Sequence, residues 1–307
     1  ETAQRRVEQQ HFAVRKRTLE YDDVMNKQRT VIYARRRHAL LGERVGVDIV
    51  NTLYDTLEAI VNDAYQGNDY EGFRQDMMEY FAMEPSITAE QFHAMRPQSI
   101  VDQLSEEVFA TFKRKMDRLA EVAHPVIVNV FENQGAQYDK ILVPVTDGRK
   151  VYNIPVDLKK AYESESKEVI KEFEKVLLLK TIDDGWMENI RELEELRHSV
   201  QNATYEQKDP LLIYKVESSN LFMAMIAECN KKITSVLMRA QIYVRDPSQV
   251  KRADKPRRAD YSKYSASKQE QGSLLNRGAA AAAGRDTREN QVTQPIRSTK
   301  TVGRNDP

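Results

Sequence analysis

The sequence predicts an all-α, elongated fold: one long helix, a group of shorter helices and a two-helix hairpin, with one small inserted β-hairpin. Three observations predict it. An uninterrupted helical pattern runs from Thr2 to Leu41. Two apolar stripes at helical spacing face each other across Phe173 to Val244. Only Tyr138 to Val156 alternates with a period of two. A mean hydropathy of −0.66 and a charged fraction of 31% agree, because they favour long solvated helices over one compact globule.

The first helix carries Val7, His11, Val14, Leu19, Val24, Gln28, Ile32 and Leu40 as a loose stripe among dense Arg and Glu, and no Gly or Pro interrupts it before Gly42. Its 40 residues extend roughly 60 Å at 1.5 Å per residue, the length of a strut that other parts pack against. Val47 to Tyr65 reads as a second helix with Ile49, Val50, Leu53, Leu57, Ile60 and Val61 at helical spacing, ended by Gly67-Asn68-Asp69. A short amphipathic helix follows over Tyr70 to Met83, and Pro85 interrupts it. Thr88 and Gln91 are spaced as a capping box, each able to satisfy a free backbone amide of the other. Pro97 opens a longer helix through Val130, which Pro125 is expected to kink or interrupt near Ala123 or His124.

Lys140 to Val145 and Lys150 to Val156 flank Thr146-Asp147-Gly148-Arg149, a hairpin around an Asp-Gly turn. Pro144 and Pro155 imply exposed edges. A lone hairpin is marginal in water, so this one is expected to lean on neighbouring helices.

The ascending arm of the helical hairpin carries Phe173, Val176, Leu179, Ile182, Trp186, Ile190, Leu193, Leu196 and Val200. The descending arm carries Leu211, Tyr214, Phe222, Met225, Cys229, Ile233, Val236, Ala240 and Val244. Asp209-Pro210 starts the second arm: Asp accepts free amide protons at the N-cap, and Pro fits the first helical position. Between the arms lies a polar tip with Thr204, Tyr205, Glu206, Gln207, Lys208 and Asp209. Tyr205 either folds down onto the hairpin or serves as a contact residue, since tyrosine brings large apolar area and one polar handle at low entropy cost.

From Arg245 the periodicity is lost. The residues from Asp246 onward hold about 13 Lys/Arg against about 7 Asp/Glu, a net of roughly +6 in a chain that is neutral as a whole. This stretch reads as a disordered linker. The single cysteine, Cys229, lies in an apolar stripe and reads as a buried small hydrophobe in a reducing compartment. No phosphate-binding loop, dinucleotide fingerprint or His/Cys ligand cluster occurs; His11, His38, His93, His124 and His198 are scattered. Asp22 and Asp23 are adjacent, but neighbouring helical positions point about 100° apart, so they read as a polar patch pairing with arginines or a partner domain. Arg35-Arg36-Arg37, together with the basic tail, raises nucleic-acid binding as a rival reading.

Three segments carry a resemblance. Leu19-Glu20-Tyr21-Asp22-Asp23-Val24 with Asn26 to Arg29 and Val31 to Tyr33, Leu179 to Trp186 (LKTIDDGW), and Tyr205 to Pro210 followed by Tyr214 to Ser218 together resemble the SecA family, the motor ATPases of bacterial preprotein translocation. The likeness covers about Thr2 to Val244. It implies a scaffold helix over 1–41, a helical wing over 42–162 with the β-hairpin at about 138–156, a two-helix finger over 163–244 and a linker over 245–307. In the family the finger enters the mouth of the SecY channel, and its tip tyrosine, here Tyr205, touches the unfolded preprotein. The family's tip carries Arg-Gly before that tyrosine, where this chain has Ala203-Thr204. Tyr21, Asp22, Asp23 and Arg29 are then expected at interdomain contacts. The resemblance places ATP and Mg in upstream motor domains, with no cofactor, catalytic or metal site among these residues. It places a zinc motif that binds SecB and anionic lipid beyond Pro307 and the protein on the cytoplasmic face of the plasma membrane, and it leaves open whether the assembly is a homodimer. The alternative is a purely structural helical adaptor.

Overall fold

The computed structural model describes residues 2–42, 44–135, 138–200, 209–242 and 251–252. Glu1–Asp254 form one compact unit. Helices dominate it, with one small antiparallel sheet.

Helix α1 spans Thr2–Leu41. Gly42, at φ +71°, returns its N–H to the Ala39 carbonyl at 3.2 Å; glycine reaches this left-handed stop without steric penalty. The expected stripe along α1 divides into two. Val7, Val14, Leu19 and Leu40 are exposed, as is Phe12, whereas Gln28, Ile32 and Ala39 are buried. The reason is coverage: α1 packs against α7 (Lys167–Ser199) and α8 (Pro210–Arg239), and among its described side chains burial begins at Glu20 and Tyr21.

Helix α2 spans Val45–Gly67 and buries Ile49, Leu53, Leu57, Ile60 and Val61, while Val50 is exposed. Asn68, left-handed at φ 50°, ends it. Asp69 then caps α3 (Tyr70–Asp76) by accepting the Gly72 N–H at 2.9 Å. The helix expected through Met83 instead passes into a π-helical turn at Met77–Phe81, closed by Ala82. Both halves of the Thr88/Gln91 capping box form at the start of α4 (Ala89–Ala94).

Helix α5 runs unbroken over Pro97–Gln134, through Pro125. The interruption expected there does not occur. Pro125 removes the amide that would bond the Glu121 carbonyl, and Glu121 lies on the exposed side, where water can replace that bond.

Strands β1 (Lys140–Thr146) and β2 (Val151–Asp157) pair in register from Lys140↔Asp157 to Thr146↔Val151. The connection is longer than an Asp-Gly pair: Asp147–Lys150 form it, with Gly148 at φ +87° and Asp147 Oδ1 accepting from the N–H of Arg149 at 2.8 Å and of Lys150 at 2.7 Å. The expectation that both proline-bearing strands are edges holds for β2 only. β1 also pairs with β3 (Gln241–Ile242) opposite Thr146 and Val145, and with β4 (Lys251–Arg252) opposite Leu142 and Ile141. Pro144 falls in the gap between these two pairings, where its missing N–H removes no ladder bond from β3 or β4. The hairpin leans on α7, with Tyr152 edge-on to Phe173 at 6.4 Å.

Helix α6 (Leu158–Glu163), capped by Asp157, follows the sheet. The main core gathers α2, α3, α4, α5, the sheet and the lower halves of α7 and α8. Two smaller clusters lie along α1: Ile32, Ile182, Trp186, Met225 and Cys229, then Leu193, Val200 and Tyr214.

Candidate functional site

The two arms of the helical hairpin, α7 and α8, pack along each other and against α1. Asp209 caps α8 with Oδ1 accepting the Leu211 N–H at 3.0 Å, and Pro210 takes the first helical position. Thr204, Tyr205, Glu206, Gln207 and Lys208 lie outside the described residues. The arms that lead to them are described on both sides and meet in a packed collar of Leu193, Val200 and Tyr214.

The collar is tied to α1. Tyr21 meets Tyr214 edge-on, with centroids 4.8 Å apart at 65°. The Arg197 guanidinium lies 5.6 Å over the Tyr21 ring, and its Nη1 is 3.9 Å from Asp22 Oδ1. Burial pushes the Tyr214 phenol above its ordinary pKa, with the Arg197 charge opposing. Tyr21, Met25, Ile190, Arg197, His198 and Tyr214 line a cleft of about 600 Å³ here.

Asp22 and Asp23 diverge, as helical geometry requires. Asp22 faces Arg197 on α7, whereas Asp23 pairs with Lys27 on its own helix at 2.8 Å. Arg29 also stays on α1, donating to Asn26 Oδ1 at 3.1 Å and to Met25 Sδ at 3.5 Å. Of the four residues expected at interdomain contacts, Tyr21 and Asp22 therefore meet the helical hairpin, whereas the bonds of Asp23 and Arg29 stay within α1.

One level down, a buried amide pair joins all three helices. Gln28 Nε2 donates to the Ser218 carbonyl at 2.9 Å, and Asn189 Nδ2 donates to Gln28 Oε1 at 3.3 Å. Asn189 Oδ1 is buried without a partner among the described residues. The Trp186 cluster follows, and then a third polar level. Arg35 Nη2 donates to Thr52 Oγ1 and Asn230 Oδ1, each at 3.2 Å. Arg36 Nη2 donates to Asp183 Oδ2 at 3.0 Å, and its Nε lies 2.8 Å from Oδ1. Two of the three consecutive arginines are thus engaged inside the fold, which weakens the nucleic-acid reading.

Between the arms, Gly185 marks the closest approach. A Cβ there would lie 2.6 Å from Cys229 Sγ. The Cys229 thiol donates to the Thr181 carbonyl at 3.6 Å, and burial raises its pKa, so it stays protonated and unreactive.

The sequence reading missed Glu174. It is buried at the base of α7, and desolvation, opposed by Lys171, pushes its carboxyl up to about 7. Its only sequence signal is a carboxylate one step off the Phe173 stripe, a position that periodicity marks as ordinary surface.

A forty-residue helix bonded at three levels to a helical hairpin, with smaller helices and a sheet around its base, defines a helical scaffold module. The profile of the SecA Wing and Scaffold domain matches residues 1–241, and the chain belongs to this family. It is 51% identical over its whole length to the protein translocase subunit SecA of Bacteroides fragilis, covering 28% of that protein. It is 54% identical to that of Parabacteroides distasonis, over 80% of this chain and 22% of the relative. With the Porphyromonas gingivalis (strain W83) protein it shares 48% over its whole length and 28% of the relative. The chain thus spans little more than a quarter of the length of the relatives that it matches throughout.

Proposed function

We propose that this chain is the scaffold, wing and finger portion of an ATP-driven protein translocase. In this reading it carries motion from upstream motor domains, which hold ATP and Mg, to a finger that moves unfolded preprotein through the SecY channel. The observation that carries the reading is the three-level bonding of α1 to the finger, at Tyr21–Tyr214, Gln28–Ser218 and Arg36–Asp183. A displacement of α1 then moves α7 and α8 with it instead of sliding past them. Relatives about half identical to this chain are protein translocase subunits, which supports it.

The roles follow. Tyr205 contacts the polypeptide, and Thr204, Glu206, Gln207, Lys208 and Asp209 shape the tip around it. Tyr21 and Asp22 couple α1 to the finger collar, leaving Asp23 and Arg29 for the motor domains. SecB and anionic lipid are partners through a zinc motif beyond Pro307. The protein is peripheral on the cytoplasmic face of the plasma membrane; no described helix is long and apolar enough to cross one.

In the complete protein, Tyr205→Ala is expected to reduce preprotein transport while leaving basal ATP hydrolysis near the wild-type rate. Unchanged transport would remove the tip assignment. A cross-linker at position 205 that captured neither polypeptide nor channel would favour a static adaptor.

A further inference from the structure

A second cavity lies at the opposite end of α8 from the Tyr214 collar, where α8 meets α5. It has a volume of about 660 Å³, within the range of small-molecule sites. Three cations line it: Lys115 and Arg118 from α5, and Arg239 from the last turn of α8. Among the described residues, none of the three has a carboxylate within ion-pair distance.

Part of this arrangement serves the fold. Lys115 Nζ donates to the Met238 carbonyl at 2.6 Å and Arg239 Nη2 to the Met78 carbonyl at 3.3 Å, which suits cations near a helix C-terminus. Those bonds use one donor of each group. Lysine has three N–H donors and arginine five, so most remain, and Arg118 makes no hydrogen bond to another described residue. The one carboxylate in the lining, Asp147, has an oxygen committed to the hairpin-turn amides. Burial, then the charges of Arg114 and Arg239, holds the Lys115 ammonium below the usual lysine range. Like charges crowded into a partly desolvated recess are destabilising until a counter-charge enters.

We propose that this cavity is a binding site for a phosphate-bearing ligand. Three cations against one carboxylate leave an excess of roughly two positive charges, the charge of a phosphate monoester, and Lys with paired Arg is a recurrent phosphate-binding set. The cavity is much larger than a phosphate group. Ala82, Leu119, Val122 and Ile242 supply apolar wall for an organic remainder, either of a soluble ester or of a lipid headgroup. The site has a consequence for the chain that leaves the finger. Gln241 and Ile242 line the cavity and form the β3 pairing with Thr146 and Val145. A ligand bridging α5 to this wall holds the first residues after α8 against the sheet. This inference does not depend on the translocation reading.

The test is equilibrium binding to the whole chain at constant ionic strength. Inorganic phosphate is expected to bind saturably, and Arg118→Glu to weaken that binding about tenfold or more, the loss of one charge-assisted contact together with a repulsion. Arg118 is exposed, so the substitution leaves the core intact. Arg74→Glu, at a half-exposed arginine paired with Glu71 and Glu84, is expected to bind phosphate as the wild type does. Phosphatidate vesicles, whose headgroup is a phosphate monoester, compared with phosphatidylcholine vesicles, separate the two sources. Retention that Arg118→Glu abolishes assigns a lipid headgroup, whereas phosphate binding that Arg118→Glu abolishes without such retention assigns a soluble ester. Equal behaviour of wild type and Arg118→Glu in both assays overturns the site.

Discussion

The base of the finger and its shaft are built from the same two helices but held in different ways. At the base, Phe173, Leu177, Leu178, Ile233 and Leu237 sit in the main core with α2, α5 and the sheet. Along the shaft, toward the tip, α7 and α8 have α1 as their neighbour, and small apolar clusters alternate with polar levels: Trp186 and Met225, then Gln28 and Asn189, then Tyr21 and Tyr214. Apolar burial is strong and non-directional, so it anchors the base without dictating alignment. A buried amide pair contributes little net stability, but it is satisfied in one register only. The base supplies attachment, and the shaft supplies alignment.

The largest expected effect breaks the attachment. Leu177, 1% exposed, lies in the main core, and Leu177→Ala is expected to cost about 2–5 kcal/mol, read as a lower midpoint in urea with an unchanged slope. A loss below 1 kcal/mol would mean that the base is not the anchor.

The next effect sharpens the contrast through pH. Folded Glu174 keeps its proton up to about pH 7, while the unfolded chain releases it near 4.5. Between those values the folded state binds more protons, so stability falls as pH rises through this window and levels off above it. Glu174→Gln carries no charge to desolvate. It is expected to be more stable than wild type at pH 8 by up to about 3 kcal/mol, with most of that advantage gone at pH 4.5. A difference independent of pH would show that the carboxyl is not the cause.

The smallest effect concerns alignment. Gln28→Ala strands the Asn189 amide, while the Ser218 carbonyl, inside α8, keeps its helical bond, at a cost of about 1–3 kcal/mol. The double replacement Gln28→Leu with Asn189→Leu removes both partners of the pair and is expected to regain most of that loss in unfolding free energy. Its shaft amides on α7 and α8 should nevertheless exchange hydrogen faster than those of the wild type, because apolar contact alone does not specify register. Unaltered exchange would place the alignment elsewhere.

Much of this organisation was legible in the sequence, for local reasons. The C-terminal stop of α1, the Thr88/Gln91 box, the Asp209-Pro210 start and the existence of the β-hairpin depend on residues within a few positions of one another. The stripe of α7 was legible only in part: its base is buried on several sides, so Leu177, Leu178 and Glu174 lie off any single 3.6-residue line. Burial along α1 depends on which neighbours reach it, and Val14 and Leu19 look no different from Ile32 in sequence. Strands β3 and β4, two residues each, are too short to show a period and exist because β1 offers free backbone groups. The phosphate cavity gathers residues from Ala82 to Ile242, a spacing that no motif could mark. Tyr205 and its tip neighbours, prominent in the sequence, fall outside the described residues.

The contact of Gly185 with Cys229 gives the molecule its own gauge. Glycine in mid-helix gives up about 1 kcal/mol of helix propensity relative to alanine, yet even a methyl group at 185 would collide with the sulfur. A reagent that alkylates Cys229 therefore has to wait until the two arms part. The rate at which the chain's one thiol is modified follows the population of the parted state when the arms reclose quickly, and the opening rate when the reagent is faster, in the unaltered protein and with no engineered label.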